Sequence, residues 1–130
     1  MESIYELHEA CRHGNLSRVE AFLQENANHP FGINKKDDRG QTPLHIAAEA
    51  NIFHNAETDH IEVTREKVKP FVGIVKALLA AGAHPNQLNR NGSPPLELAC
   101  CNGVDQIVVA LCEGGADVNL MSVRGGLFYA

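Results

Sequence analysis

One pattern occurs three times in this chain of 130 residues: LHEACRHGNLSRVEAFLQENA from Leu7, LHIAAEAN from Leu44 joined to VGIVKALLAAGA, and LELACCNGVDQIVVALCEGGA from Leu96. Each copy reads as a helix, a second helix and a turn. A unit of this size cannot bury its own apolar face, whereas stacked copies bury it between neighbours. The recurrence therefore specifies a quasi-one-dimensional solenoid rather than a globule closed around one core.

The local chemistry agrees. In GQTPLHIAAEA, Gly40 to Ala50, Thr42 supplies a hydroxyl for the free N–H groups of a helix start. Pro43 suits the first helical position because its missing donor would have had no partner there. A helix is thus predicted from Pro43. Ala47 and Ala48 are good helix formers with little bulk and allow another helix to approach closely. Further on, Val72, Val75, Leu78 and Leu79 recur at helical spacing, and Gly82 marks a C-terminus. The turn-like NRNG, Asn89 to Gly92, precedes another proline-initiated helix.

Composition narrows the function classes. An apolar fraction of 44% suits one folded unit. No run of about 18 apolar residues occurs, and MESIYELHEA lacks the basic and apolar regions of a signal peptide, so no membrane association or export is expected. Cys11, Cys100, Cys101 and Cys112 form no CxxC pair, so they read as reduced thiols in an intracellular, cytoplasmic setting, with Cys11, Cys100 and Cys112 as packing residues. A net charge of −5 and the absence of Trp count against nucleic acid as a partner.

The DRGQTPLHIAA run, the GAHPN and GADVN endings and the NG turns together resemble ankyrin repeats, a family with a period of about 33 residues. The resemblance covers nearly the whole chain. It implies an all-α ankyrin solenoid of stacked helix-turn-helix units with hairpin-like turns: repeat 1 over about residues 2–34, repeat 2 over about 37–86 with an insertion at 52–70, repeat 3 over about 89–119, and a partial fourth at 120–130. Leu7 and Leu44 lie 37 residues apart and Leu44 and Leu96 lie 52 apart. Against the family period these intervals hold about 4 and about 19 extra residues, placed in Asn28 to Ile33 and in Ile52 to Pro70. SVRGGLFYA stops where a fourth first helix should begin, and its apolar end is unlike a polar capping face, so a longer natural chain is expected.

His45 raises the question of chemistry, since an imidazole can act as a general base. No GxSxG, matched Cys–His pair or paired helical carboxylates accompany it. The resemblance implies a structural role instead, with the ring bonded to the Thr42 hydroxyl and to neighbouring loop backbone. The third copy departs from the pattern: Pro94, Pro95, Leu96 and Glu97 stand where the family has Thr-Pro-Leu-His. Both the capping hydroxyl and the bridging imidazole are missing, so the third repeat is expected to be the looser one unless Ser93 caps. His54 and His60, with Glu57 and Asp59, read as a solvated loop, and neither a metal nor a cofactor is expected.

Ankyrin repeats as a family bind proteins through turn tips and the exposed side of each first helix. By register, the tip positions are Lys36, Asp38, Arg39 and Gln41, then Leu88, Arg90, Asn91 and Ser93, then Met121, Val123 and Arg124. The helix positions are Arg12 and His13, Glu49 and Ala50, and Cys101 and Asn102. An arginine at every tip (Arg39, Arg90, Arg124) in an acidic protein points to an acidic or phosphorylated partner segment, because the guanidinium fork pairs with carboxylates and phosphates. Asp59 and Glu62 read as a capping box opening a short helix to about Lys69, with Pro70 restarting the repeat's own second helix and Ile61 and Val68 on one side. The expected function is non-catalytic protein binding. The alternatives are the targeting region of a larger enzyme or effector, and a nucleic-acid or phospholipid role for the basic tips; the oligomeric state is left open.

Overall fold

Thr42 and Pro43 open a helix as their chemistry dictates: the Thr42 hydroxyl accepts the backbone N–H of His45 at 3.3 Å, and α3 runs Pro43–Glu49. The computed structural model describes residues 6–25, 32–50 and 61–120. Among them, α1 (Glu6–Arg12) and α2 (Leu16–Glu25) precede α3, while α4 (Ile61–Ala80), α5 (Pro95–Cys101) and α6 (Asp105–Glu113) follow it. A 3₁₀ turn, Val118–Leu120, comes last, and the described residues contain no strand.

The helices pack in pairs, α1 on α2, α3 on α4 and α5 on α6. The pairs stack, with α3 between α1 and α5 in one layer and α4 between α2 and α6 in the other. Leu44, Ile74, Leu78, Ile107 and Leu111 are fully buried in the shared core, each worth about 1.5–3 kcal/mol of burial. Ala47, Ala48 and Ala99 are wholly covered as well, and their small side chains let the first-layer helices approach.

Gly82 ends α4 as the sequence predicts. The Ala83 amide donates to the Leu78 carbonyl at 2.9 Å and the Gly82 amide to Leu79 at 3.1 Å, a Schellman closure that needs the positive φ of +97° at Gly82. The end of α3 is different: Ala50 takes a left-handed φ of 47° and is buried, so it does not contribute to the exposed side of the first helix as its register suggested.

Two expectations fail in the helices from α4 onward. Pro70 does not restart a helix but lies inside one continuous 20-residue helix, α4. A proline forfeits one backbone bond there, and the burial of Val68 and Phe71 on either side of it offsets the loss. The Phe71 ring fits against Gly14, where an added Cβ would stand 3.0 Å from its Cζ, so this stretch packs back on the first helix pair. The capping box proposed at Asp59, the 52–60 part of the insertion with its histidines, and the start of a fourth repeat lie outside the described residues.

The second failure concerns cysteine. Cys11 is fully buried, and burial pushes its thiol up to about 12. Cys100 and Cys112, expected to pack, are exposed, as is Cys101. Cys100 follows Leu96 as Cys11 follows Leu7 and Ala48 follows Leu44. Cys11 and Ala48 are covered, but α5 is the last first-layer helix among the described residues, so its equivalent position is left open.

Candidate protein-binding surface

Each of the two described tips is a tight turn built on one polar side chain. Asp37 Oδ1 accepts the amides of Arg39 and Gln41 at 2.9 and 3.0 Å; Asn89 Oδ1 accepts those of Asn91 and Ser93 at the same distances. Backbone bonds from Asp37 to Gln41 (2.9 Å) and from Asn89 to Ser93 (3.0 Å) close the two hairpins. Gly40 lets them meet: its φ is +73°, and a Cβ there would stand 2.8 Å from the Arg90 backbone nitrogen.

The tips are tied to the first-layer helices by imidazoles. His45 Nε2 lies 2.9 Å from the Ser93 carbonyl. A carbonyl only accepts, so Nε2 carries the proton and Nδ1 is left as acceptor. Nδ1 takes the Thr42 hydroxyl at 2.8 Å and the Thr42 amide at 3.2 Å. Burial lowers the His45 pKa below 6.5, against the opposing effect of its bond to Ser93. His8, one unit earlier, bonds a different carbonyl: its Nε2 lies 2.7 Å from that of Lys35, two residues before Asp37, and its pKa is likewise lowered by burial. Sequence reasoning singled out His45 alone, although Leu7-His8 repeats the Leu44-His45 pair.

Asparagines add a second tie between units. Asn34 Oδ1 accepts the His84 amide at 2.9 Å, and Asn86 Oδ1 accepts the Asp117 amide at 2.8 Å. These bridges were also missed, although the recurring GAHPN and GADVN endings carry the residue type.

The third unit shows the defect that its sequence implies. The N-cap of α5 is Pro94, with no side-chain cap bond. Ser93 is buried, its carbonyl is held by His45, and it does not cap. Glu97, in place of the bridging histidine, is buried on α5.

The predicted binding residues fall into three groups. Lys36, Asp38, Arg39, Glu49, Leu88, Asn91, Cys101 and His13 are exposed. Others bond to the scaffold, Arg90 and Asn102 while still exposed. Gln41 and Ser93 are buried, and Gln41 Oε1 accepts the Asn89 side-chain amide at 3.4 Å, so neither offers a tip surface. The Arg90 guanidinium donates to the Asp38 carbonyl, and its amide donates to Arg39 at 3.3 Å. Asn102 donates to the Glu49 carbonyl at 2.7 Å. Arg12 pairs with Glu9 and approaches Asp37 at 3.9 Å. Met121, Val123 and Arg124 lie outside the described residues.

The arginines do not form a row of equivalent positions. Arg39 stands two residues after Asp37, whereas Arg90 stands one after Asn89 and reaches back to the preceding tip. Lys36 and Arg39 have no ion-pair partner among the described residues. Arg39 borders a cleft of about 320 Å³ between α1 and the first tip, lined also by His8, Glu9, Arg12, Asp37 and Asp38. No helix of the described residues is long and apolar enough to cross a membrane.

Comparison with known proteins agrees with this architecture. A model of ankyrin repeats in three copies matches residues 7–122. Mouse protein fem-1 homolog A-A is 35% identical over 80 residues, 62% of this chain and 11% of that protein. Zebrafish Notch-regulated ankyrin repeat-containing protein B is 31% identical over 103 residues, 79% of this chain and 76% of that one. The crystal structure of the human ASB11 ankyrin repeat domain superposes with a TM-score of 0.64 at 28% identity, covering 85% of this chain and 40% of that one. Helix pairs, bridging imidazoles and matched repeats lead to one conclusion: the chain belongs to the ankyrin repeat family.

Proposed function

We propose that the chain is a non-catalytic protein-binding module that holds an acidic or phosphorylated partner segment against its first tip and the exposed side of its first-layer helices. Ankyrin repeats are generally protein-protein interaction modules, which supports the broad reading. The narrower one rests on Lys36 and Arg39, exposed cations without an ion-pair partner among the described residues, on a tip whose backbone is fixed by Asp37. A cation on a rigid turn loses little freedom when it meets a carboxylate or phosphate. The reduced cysteines suit a cytoplasmic setting.

The test compares the proteins captured from a cell lysate by the wild type and by a Lys36→Glu, Arg39→Glu variant, each checked for helicity. The expected result is a partner retained by the wild type and lost by the variant, with phosphatase treatment separating phosphate from carboxylate recognition. The same partner on both would overturn the assignment of the tip.

A second reading has the length of relatives in its favour. The chain spans 11% of fem-1 homolog A-A and 9% of the human transient receptor potential channel subfamily A member 1, with which it is 29% identical over 120 residues. On that reading the repeats target a larger enzyme or effector. Transcript sequence reading on past the Ala130 codon would favour it, and a stop codon there would count against it.

A further inference from the structure

Lys36 and Leu88 hold the same place in successive tips. Lys36 precedes Asp37 and Leu88 precedes Asn89, the two side chains on which the turns are built. Both residues are exposed, Leu88 by 42%. One position thus offers an ammonium on the first tip and a branched apolar side chain on the second.

A single exposed leucine is ordinary on a protein surface. Here the apolar exposure follows the order of the units. Of the four large apolar side chains that stand exposed among the described residues, Val109 lies on α6, whereas Leu88, Val118 and Leu120 lie in the connections that follow α4 and α6. The connection after α2 presents Lys36 and Arg39 instead. The two apolar connections are tied together, since Asn86 Oδ1 accepts the Asp117 amide at 2.8 Å just ahead of Val118. The edge of the stack therefore runs from cationic to apolar.

The distance between tips sets the spacing that a partner must match. The first two tips abut: the Arg90 amide donates to the Arg39 carbonyl at 3.3 Å. Packed helices lie about 8–10 Å apart, and equivalent positions on their tips repeat at a like distance. A polyproline II segment rises about 3.1 Å per residue and returns to the same face after three residues, about 9 Å. A β-strand returns after two or four residues, about 7 or 13 Å, and misses that repeat.

We propose that the second tip reads an apolar side chain of the partner. The bound segment is a polyproline II stretch with a carboxylate or phosphate on Lys36 and Arg39 and, three positions away, a leucine-sized apolar residue on Leu88. Its acidic end rests on the binding reading above, to which the apolar end is added. Both turns are fixed by their own hydrogen bonds, and a polyproline II segment is extended before it binds, so little freedom is lost when they meet. Covering the exposed part of Leu88 contributes a factor of about three to ten in affinity.

The test is a titration of the whole chain, followed by amide NMR, with proline-rich peptides at millimolar concentration. Two peptides carry a glutamate and a leucine three positions apart, in the two possible orders. Their controls have alanine for the leucine, or the pair two positions apart. One of the two orders is expected to shift the amides of Arg39, Leu88 and Asn91 and to bind about three to ten times more tightly than either control. Leu88→Ser should lower its affinity to that of the alanine control and keep the shift at Arg39. Equal affinity for the leucine and alanine peptides, with shifts at the first tip alone, overturns this inference and leaves the binding reading standing. Equal affinity at a spacing of two overturns the polyproline II geometry. The absence of first-tip shifts with every peptide overturns the binding reading and the apolar contact with it. If Leu88→Ser does not fold, the leucine and alanine peptides on the wild type decide.

Discussion

His45 donates from Nε2 to the carbonyl of Ser93, 2.9 Å away and 48 residues further along the chain. The bond joins the helix of one repeat to the turn of the next, so removing the ring breaks an interface and a helix cap together. His45→Ala is expected to cost about 1–3 kcal/mol for each buried group left unpaired. Thr42→Ala, which removes the capping hydroxyl alone, should cost about 0.5–2 kcal/mol. Urea unfolding followed by circular dichroism checks both, and a His45→Ala loss no larger than that of Thr42→Ala would contradict the bridging role.

The weak start of α5 can be mended. Pro94 has φ −79° and ψ 164°, close to the −83° and 166° of the capping Thr42, so threonine fits that backbone without strain. Pro94→Thr is predicted to stabilise by about 0.5–1 kcal/mol. Thermal unfolding gives the answer, and a lowered midpoint would show that Pro94 contributes more through packing than a hydroxyl could restore.

Gly40 and Gly92 separate backbone strain from tip contact. Both have positive φ, +73° and +78°, but a Cβ at Gly40 would meet the Arg90 nitrogen at 2.8 Å, whereas one at Gly92 would meet nothing within 4 Å. Gly92→Ala should cost about 1 kcal/mol for the left-handed conformation alone. Gly40→Ala should cost clearly more, and equal losses would mean that the tips do not press together in solution.

Thiol reactivity reports the open end of the described stack. Cys100, Cys101 and Cys112 are exposed and Cys11 is buried with its thiol pushed up to about 12. A maleimide should label three cysteines in the folded protein and the fourth only after denaturation. Cys100, whose thiol is pushed up by burial, should be the slowest of the three, and no rapid label at Cys101 or Cys112 would place a covering segment over α5 and α6.

Much of the fold was legible because its signals are local. Thr42-Pro43 and Gly82 start and stop helices by their own chemistry, and the recurrence after Leu7, Leu44 and Leu96 supplies the stacking. What escaped was decided by neighbours. Pro70 looks like a helix start, yet Val68 and Phe71 are buried on either side of it and carry the helix through. Cys100 shares its register with Cys11 and Ala48, and differs only in what lies on top. Gln41 and Arg90 read as tip residues, but the adjacent tip claims both. Register assigns a position to a repeat, whereas exposure depends on the repeat beside it.

The binding surface is tested most directly by a photo-crosslinking residue placed in turn at Arg39, on the first tip, and at Val109, 54% exposed on α6 in the other layer. Irradiation in lysate should join a partner at position 39 and not at 109, with the crosslinked peptide rich in Asp, Glu or phosphate. A partner joined at 109 alone would place the interface on the second-layer helices and contradict the account.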